Sequence, residues 1–400
     1  MMVKANPSPA NIKKAVFERI AQKDDISKAE LMAEFTLTSS SLTRLLEELV
    51  HEGWISESGL GQSTGGRRPI LYQINSGHRY IFGLEISRLY STLGLFDLKL
   101  NAMSYKRWTM DETMTPERLM DYVQEQVEMM LEACHVAKEQ VLGMGIGAVG
   151  PLDRNQGVIL NPLYFPAEGW SNVPVCRLIE EKTGIPAVLD NGANAALVGE
   201  HWALRGENLQ HMLYVHVGTG LRSAMMSGGQ LVYGAVDMEG SIGQMIIQAD
   251  GPRLHGTGNY GALEAFASVQ ALEQQVRAQV KMGRNQLESA DGVQPEAIHF
   301  AMLVEALRNG EAFVQELFSQ SAAHMGIGLA NLINILHPEM VILGGALISA
   351  SGLYYDTAVS VAQKNIYYFQ EYQPVFSKGI LQENAVAVGA AVLVRNQLSI

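Results

Sequence analysis

Cysteine is nearly missing from this 400-residue chain: Cys134 and Cys176 stand alone, without CxxC spacing. That excludes a disulfide framework and leaves two buried free thiols as the expectation. Long apolar runs are missing too. None reaches the roughly 18 residues needed to cross a bilayer, and Met1-Met2-Val3-Lys4 opens no signal peptide, so a cytoplasmic chain without a membrane partner is expected. An excess of positive charge is the third absence. The net charge is −12, from 29 Lys/Arg against 41 Asp/Glu. Residues 1–75 hold nine of each sign, so the whole acidic excess lies in 76–400, where 20 cations face 32 anions. An acidic body repels a polyanion, so contact with nucleic acid must come from cations placed locally in the first segment. Such a neutral segment binds modestly as a monomer, which calls for dimerisation. What is present is bulk. With 47% hydrophobic and 18% charged residues, the chain is globular and long enough for two or three domains.

Three helical patterns open the chain. Ile12, Ala15, Val16, Arg19 and Ile20 form an apolar stripe at helical spacing. Ser27-Lys28-Ala29-Glu30 is a capping box that starts a short helix carrying Leu31, Met32 and Phe35. A turn at Thr36-Leu37-Thr38 leads to a third helix beginning near Ser39. Leu42, Leu45, Leu46, Leu49 and Val50 form its apolar side. Ser39, Ser40, Ser41, Thr43 and Arg44 gather at its exposed start, small polar groups suited to approach phosphates and base edges in a major groove. Taken alone, that surface reads more readily as an ordinary solvated helix.

The next stretch decides between the two. Residues 54–58 and 69–74 read as strands joined by a glycine-rich tip ending in Arg67 and Arg68, the form of a β-wing that delivers cations to a DNA backbone or minor groove. The segment resembles the DNA-binding domain of the ROK family (repressors, open reading frames and sugar kinases), on the Ser-Lys-Ala-Glu-Leu helix and on Ser63-Thr64-Gly65-Gly66-Arg67-Arg68-Pro69. The resemblance continues over essentially the whole remaining length. It implies an α/β chain: a winged helix-turn-helix over 1–76, then an actin-like ATPase (ribonuclease H-like) body over 77–400. The body's lobes would run about 77–197 and 198–400, with the C-terminal helix returning to the first lobe. Strands at 80–86, 91–97, 141–148, 213–217, 223–226 and 341–343 alternate with helices near 116–134, 174–183, 192–203, 262–279 and 312–336, which suits that fold. Small residues at 324–331 in the last helix fit packing into the core.

The chemistry of the resembled kinases is replaced. Their Asp-x-Gly-Gly-Thr phosphate loop stands here as Glu85-Ile86-Ser87-Arg88-Leu89, which fills the space a phosphate needs. Arg88 reads either as an anion contact or as surface packing. Their Asn-Asp pair, sugar ligand and general base, becomes Asn191-Gly192. Asp190 projects elsewhere. Their zinc set of one His and three Cys becomes Gln244, His255, Thr257 and Ala262, so no metal and no cofactor are expected.

Some of the sugar pocket survives in the resemblance: Asn161-Pro162, Gly169-Trp170, Asn191 and Glu264, while the pocket's other glutamate is Ser241. Asn191, Arg222, Ser241, Gln244 and Glu264 are the expected effector-binding residues, because amide and carboxylate groups pair with vicinal hydroxyls. Arg222 either reads a phosphate or carboxylate on the ligand, or pairs with an acid and closes the site. The reading is a DNA-binding transcriptional regulator, a repressor of carbohydrate-related genes. It would act as a homodimer or higher oligomer on a double-stranded operator, with a sugar or sugar derivative as effector and no catalytic residue. Two alternatives stay open: a ligand-independent DNA-binding protein with a collapsed pocket, and a sugar kinase.

Overall fold

The computed structural model of the protein describes residues 9–62, 68–237, 240–254, 256, 258–283, 293–367, 370–398 and 400. The chain begins with helix α1 (Pro9–Gln22), a two-residue strand β1 (Ile26–Ser27), α2 (Lys28–Glu34), α3 (Ser39–His51), β2 (Ile55–Leu60) and β3 (Ile70–Ile74). At the head of α2 the Ser27 hydroxyl accepts from the Glu30 amide at 3.3 Å, and Glu30 accepts from the Ser27 amide at 2.8 Å. Phe35 is that helix's cap and Met32 lies at the surface. On α3 only Leu42, Leu46 and Leu49 are buried; Leu45 is half-buried and Val50 exposed, a narrower stripe than its five apolar residues suggest. Val16, Phe17, Ile20, Leu31 and Ile55 complete this small core. β1 pairs with β3 as a third strand, too short to show any alternation in sequence.

Two five-stranded sheets form the body. The first takes β4 (Tyr80–Ile86), β5 (Tyr90–Asp97), β6 (Ala102–Thr109), β7 (Val141–Ala148) and, after short β8 (Leu152–Asp153) and β9 (Val158–Ile159), β10 (Ala187–Asn191), in the order β10-β7-β4-β5-β6. Helices α4 (Pro116–Ala133) and α5 (Val175–Thr183) pack with it, and α6 (Gly192–Ala203) follows β10 directly. The second sheet has the order β13-β12-β11-β14-β15. It uses β11 (Met212–Val217), β12 (Leu221–Ser227), β13 (Gln230–Leu231), β14 (Met340–Gly344) and β15 (Val375–Ser377). Around it lie α7 (Glu264–Ala267), α8 (Val269–Lys281), α9 (Phe300–Arg308), α10 (Ala312–Leu336), α11 (Ala346–Ala350), α12 (Gly352–Lys364) and, returning to the first sheet, α13 (Ala385–Asn396).

Several elements differ from the sequence pattern. The single helix read over 262–279 is broken at Ser268, whose backbone is extended. Its hydroxyl accepts from the Ala271 amide at 3.1 Å, capping α8, and donates to the Glu264 carbonyl. Strand β6 was not foreseen because its residues are mostly exposed and carry no apolar face. Cys176 is buried, but Cys134 is only half-buried.

Helix α13 explains how the layers meet. It lies so close to β4 that a Cβ at Gly83 would stand 1.9 Å from the Ala387 carbonyl oxygen, and so close to α6 that one at Gly389 would stand 1.6 Å from that of Ala195. α6 in turn touches β11 and β12, bridging the sheets. In α10, Gly326 meets the Ala358 backbone of α12, so its small residues serve the core. The N-terminal unit is docked on the first sheet. Leu98 is part of its apolar cluster, Trp202, Leu398 and Ile400 pack beside it, and Lys14 Nζ donates to the Asn396 carbonyl at 2.6 Å. Among the described residues no helix is long and apolar enough to cross a membrane.

Candidate nucleic-acid interface and ligand cleft

At the start of α3 the Thr38 hydroxyl accepts from the Ser41 amide at 3.2 Å. That cap leaves Ser39, Ser40 and Ser41 exposed at the positive end of the helix dipole, where phosphates are favoured. Arg44 is 77% exposed and 3.4 Å from Glu48 one turn on. Thr43 is half-buried, and its hydroxyl is engaged by the Ser39 carbonyl and by Lys28 Nζ. Lys28 also donates to Ser39 Oγ at 2.8 Å. This cation over the hydroxyl face was not singled out from sequence, where it looked like part of the capping box. In the wing Arg68 is exposed, and Arg67 lies outside the described residues with 63–66.

The second site is a cavity of about 210 Å³ between the two sheets, and Asn191, Arg222, Ser241, Gln244 and Glu264 all line it. The β11–β12 turn at Gly218–Gly220 forms one edge, and the head of α6 the other. Asn191 Oδ1 caps α6 by accepting from the Ala193 amide at 3.0 Å, while its Nδ2 donates to Asp237 at 3.4 Å. Glu264 accepts from the Leu221 amide and from Gln244 Nε2, each at 3.2 Å. Gln244 stands where the resembled kinases place a metal-binding His. Its side-chain oxygen accepts from the Asn259 amide at 2.9 Å, and its backbone carbonyl accepts from Asn259 Nδ2 at 2.9 Å. Among the described residues no three His, Cys, Asp or Glu side chains form a metal set; His255 and Thr257 lie outside them.

Gly192 lines the cavity, and a Cβ there would meet nothing nearer than 3.6 Å. Asp190 is turned away from it, accepting from the Asn191 amide at 2.6 Å, Asn194 Nδ2 at 2.9 Å and the Tyr233 hydroxyl at 2.7 Å. Of the two readings of Arg222, the folded chain shows the acid pair. Its Nη2 donates to Asp237 Oδ1 at 3.0 Å and to the Asp237 carbonyl at 2.9 Å, yet the cavity stays open. Arg88 is not a surface packing residue: it lines the cavity, with Nε donating to the Leu163 carbonyl at 2.7 Å. From the loop of 161–170 it is Leu163 and Tyr164 that reach the cavity; Trp170 is buried against Phe165.

Sequence reasoning missed Asp237, the buried carboxylate that joins the lobes. Besides Arg222 and Asn191 it accepts from the Leu152 amide at 3.0 Å and lies 3.6 Å from Arg154. Arg154 also stacks over the Tyr233 ring at 4.3 Å. Only tertiary contact gathers these residues. Burial shifts two groups on the cleft wall. It pushes Glu85 up to about 7, against the pull of Arg107, and His216 down to about 4, with Arg88 acting in the same direction.

A winged helix-turn-helix docked on a two-lobed actin-like body with a polar cleft defines the class of protein. Residues 81–397 match the sequence profile of the ROK family. A xylose repressor of Caldicellulosiruptor bescii is 28% identical over 383 residues, covering 95% of this chain and 94% of that protein. The N-acetylglucosamine repressor of Escherichia coli O157:H7 is 23% identical, with 96% and 92% covered. Among solved structures, a ROK family transcriptional regulator homologous to the E. coli MLC protein superposes with a TM-score of 0.76 at 21% identity, covering 96% of this chain and 97% of that one. A ROK family glucokinase from Streptomyces griseus, in complex with glucose and AMPPNP, superposes with 0.66 at 25% identity over 79% of this chain and 99% of its own. The chain belongs to the ROK family.

Proposed function

We propose that the protein is a DNA-binding transcriptional repressor of carbohydrate genes whose kinase-derived body senses a sugar or sugar derivative without phosphorylating it. The observation that carries this reading is the docking of the three-helix, winged reader onto the first lobe through the end of α13, on a body whose polar inter-lobe cleft opens at the other end of the same sheet. A ligand that prefers one lobe arrangement then biases where the reader sits. The named repressors that match over nearly the full chain support the same reading. Loss of phosphoryl transfer is inferred from Gly192 at the base position and from Arg88 where a glycine would admit phosphate. Asn191, Gln244, Ser241 and Glu264 are the hydroxyl-binding set, and Arg222 holds Asp237 at its edge. On the DNA side, Ser39, Ser40, Ser41 and Arg44 meet base edges, with Thr43 and Lys28 behind them and Arg67 and Arg68 on the backbone.

Two readers per complex are needed for specific affinity at physiological salt, so the working form is a cytoplasmic homodimer. The exposed Ile335 and Tyr367, drawn together where the Asn334 side chain accepts from the Tyr367 amide at 2.9 Å, offer an apolar edge for the second copy. The test is footprinting on the DNA flanking the protein's own gene, with and without candidate sugars, alongside a coupled assay of ADP release. The expected outcome is a protected palindrome whose occupancy responds to a sugar, with no turnover above background. Steady ADP release that Glu264→Ala abolishes would restore the kinase reading.

A further inference from the structure

Among the described residues two guanidinium groups line the cleft, and they are neutralised unequally. Arg222 is bound to the Asp237 carboxylate. Arg88 has no carboxylate at ion-pair distance among the described residues: its contacts are the Leu163 carbonyl and the Tyr164 ring, 5.8 Å from the guanidinium. Its two terminal amines donate no hydrogen bond among the described residues and belong to a side chain that lines the cavity. Glu264 faces it across Gly220, where an added Cβ would lie 2.7 Å from Glu264 Oε1 and 3.7 Å from Arg88 Nη1. That carboxylate already accepts from Leu221 and Gln244. Burial lowers Arg88 to about 10, with Glu264 opposing and Arg222 reinforcing the fall, so the group remains cationic at neutral pH. His216 beside it is neutral there. A half-buried guanidinium on the cavity wall with no ion-pair partner among the described residues is open to an anionic ligand, and its fork matches phosphate and carboxylate alike.

Position adds a second observation. Ser87 and Arg88 stand on the wall shared with a wider cavity of about 650 Å³, lined also by the cations Arg107, Arg308 and Lys378 and by the carboxylates Glu85, Glu200 and Glu383. A negative arm at Arg88 therefore sits at the junction of the two spaces, while Asn191, Gln244 and Glu264 line the smaller one alone. We propose that the effector is an anionic monosaccharide, carrying a phosphate or a carboxylate that Arg88 binds while Asn191, Gln244 and Glu264 take its hydroxyls. This rests on the reading of the cleft as the effector site.

The experiment is calorimetry on the full chain at 150 mM salt. Pentoses, hexoses and N-acetylhexosamines are each offered as the neutral sugar, the terminal phosphate and the uronic acid, with inorganic phosphate alone as a further arm. The expected result is at least one anionic sugar binding roughly tenfold or more tighter than its neutral parent (about 1.4 kcal/mol). That ratio should collapse to within about threefold in Arg88→Gln and be partly kept in Arg88→Lys. The phosphate and uronate arms tell the two anion sources apart. The wild-type ratio stands as a test even if a variant fails to fold. Neutral parents binding as tightly as their anionic forms, an unchanged ratio in Arg88→Gln, or inorganic phosphate binding as tightly as any sugar each overturn the proposal and leave the effector site standing. No binding by any sugar overturns both.

Discussion

At the scale of single residues, the cleft departs from the resembled kinases at the positions that carry their reaction. Gly192 leaves an open spot where a proton acceptor would sit, and Arg88 brings a charge where glycine would bring space. Glu85 is the residue whose behaviour most directly reports on this cleft. Its carboxyl rises from an ordinary 4.5 to about 7, chiefly through burial, with Arg107 opposing and Glu383 reinforcing. A carboxyl whose pKa is raised by folding contributes fully below its unfolded value and loses that contribution as pH climbs through the folded one. Stability should therefore decline between pH 4.5 and about 7.5, by no more than about 3 kcal/mol from this group. Glu85→Gln should flatten that part of the curve in urea melts run across the range. An unchanged slope would mean that Glu85 is ionised in the folded state throughout.

At the scale of elements, the reader is the part most legible in sequence. The capping box of α2 and the paired strands of the wing are each written in one short stretch of chain, and the Thr38 cap of α3 falls in the segment that reads as a turn. What sequence overstated there was burial: Val50 belongs to the apolar set of α3 by composition, yet faces solvent because α2 and β2 cover only a narrow arc. The wing carries the cleanest prediction. Arg67→Ala with Arg68→Ala should weaken binding to specific and unrelated duplexes alike, and reduce the slope of log affinity against log salt by about 2, one unit per lost phosphate contact. Titration of a labelled duplex at several salt concentrations reads it directly. An intact slope would remove the wing from the interface.

At the scale of the whole molecule, the lobes are held by a latch that no local motif announces. Asp237 and Tyr233 come from the second lobe; Arg154, Asp190, Asn191 and the Leu152 amide come from the first. Because Asn191 and Arg222 also line the cleft, a ligand drawing on either must draw on the latch. Asp237→Asn takes from Arg222 the carboxylate it is bound to and from Arg154 one of the carboxylates near it, and should cost roughly 3 kcal/mol or more. Tyr233→Phe should cost about 1 kcal/mol. Both should speed amide hydrogen exchange at 187–194 without altering it in α1–α3. Exchange unaffected by either change would place the lobe contact elsewhere.

Composition and short-range pattern were enough to specify a reader at the front and an alternating α/β body behind it, and the resemblance to the ROK family implied the replacement of its phosphate-, base- and metal-binding groups. Those properties depend on residue type at fixed spacing, which is written along the chain. The partner of Arg222, the inward turn of Arg88, the place of Leu163 and Tyr164, and the latch on Asp237 were settled only when the chain folded. Each depends on groups tens of residues apart meeting across two sheets, and on how much water that meeting excludes. Charge and hydrogen-bonding capacity are inherited from sequence; whether they are satisfied is a property of the packed interior.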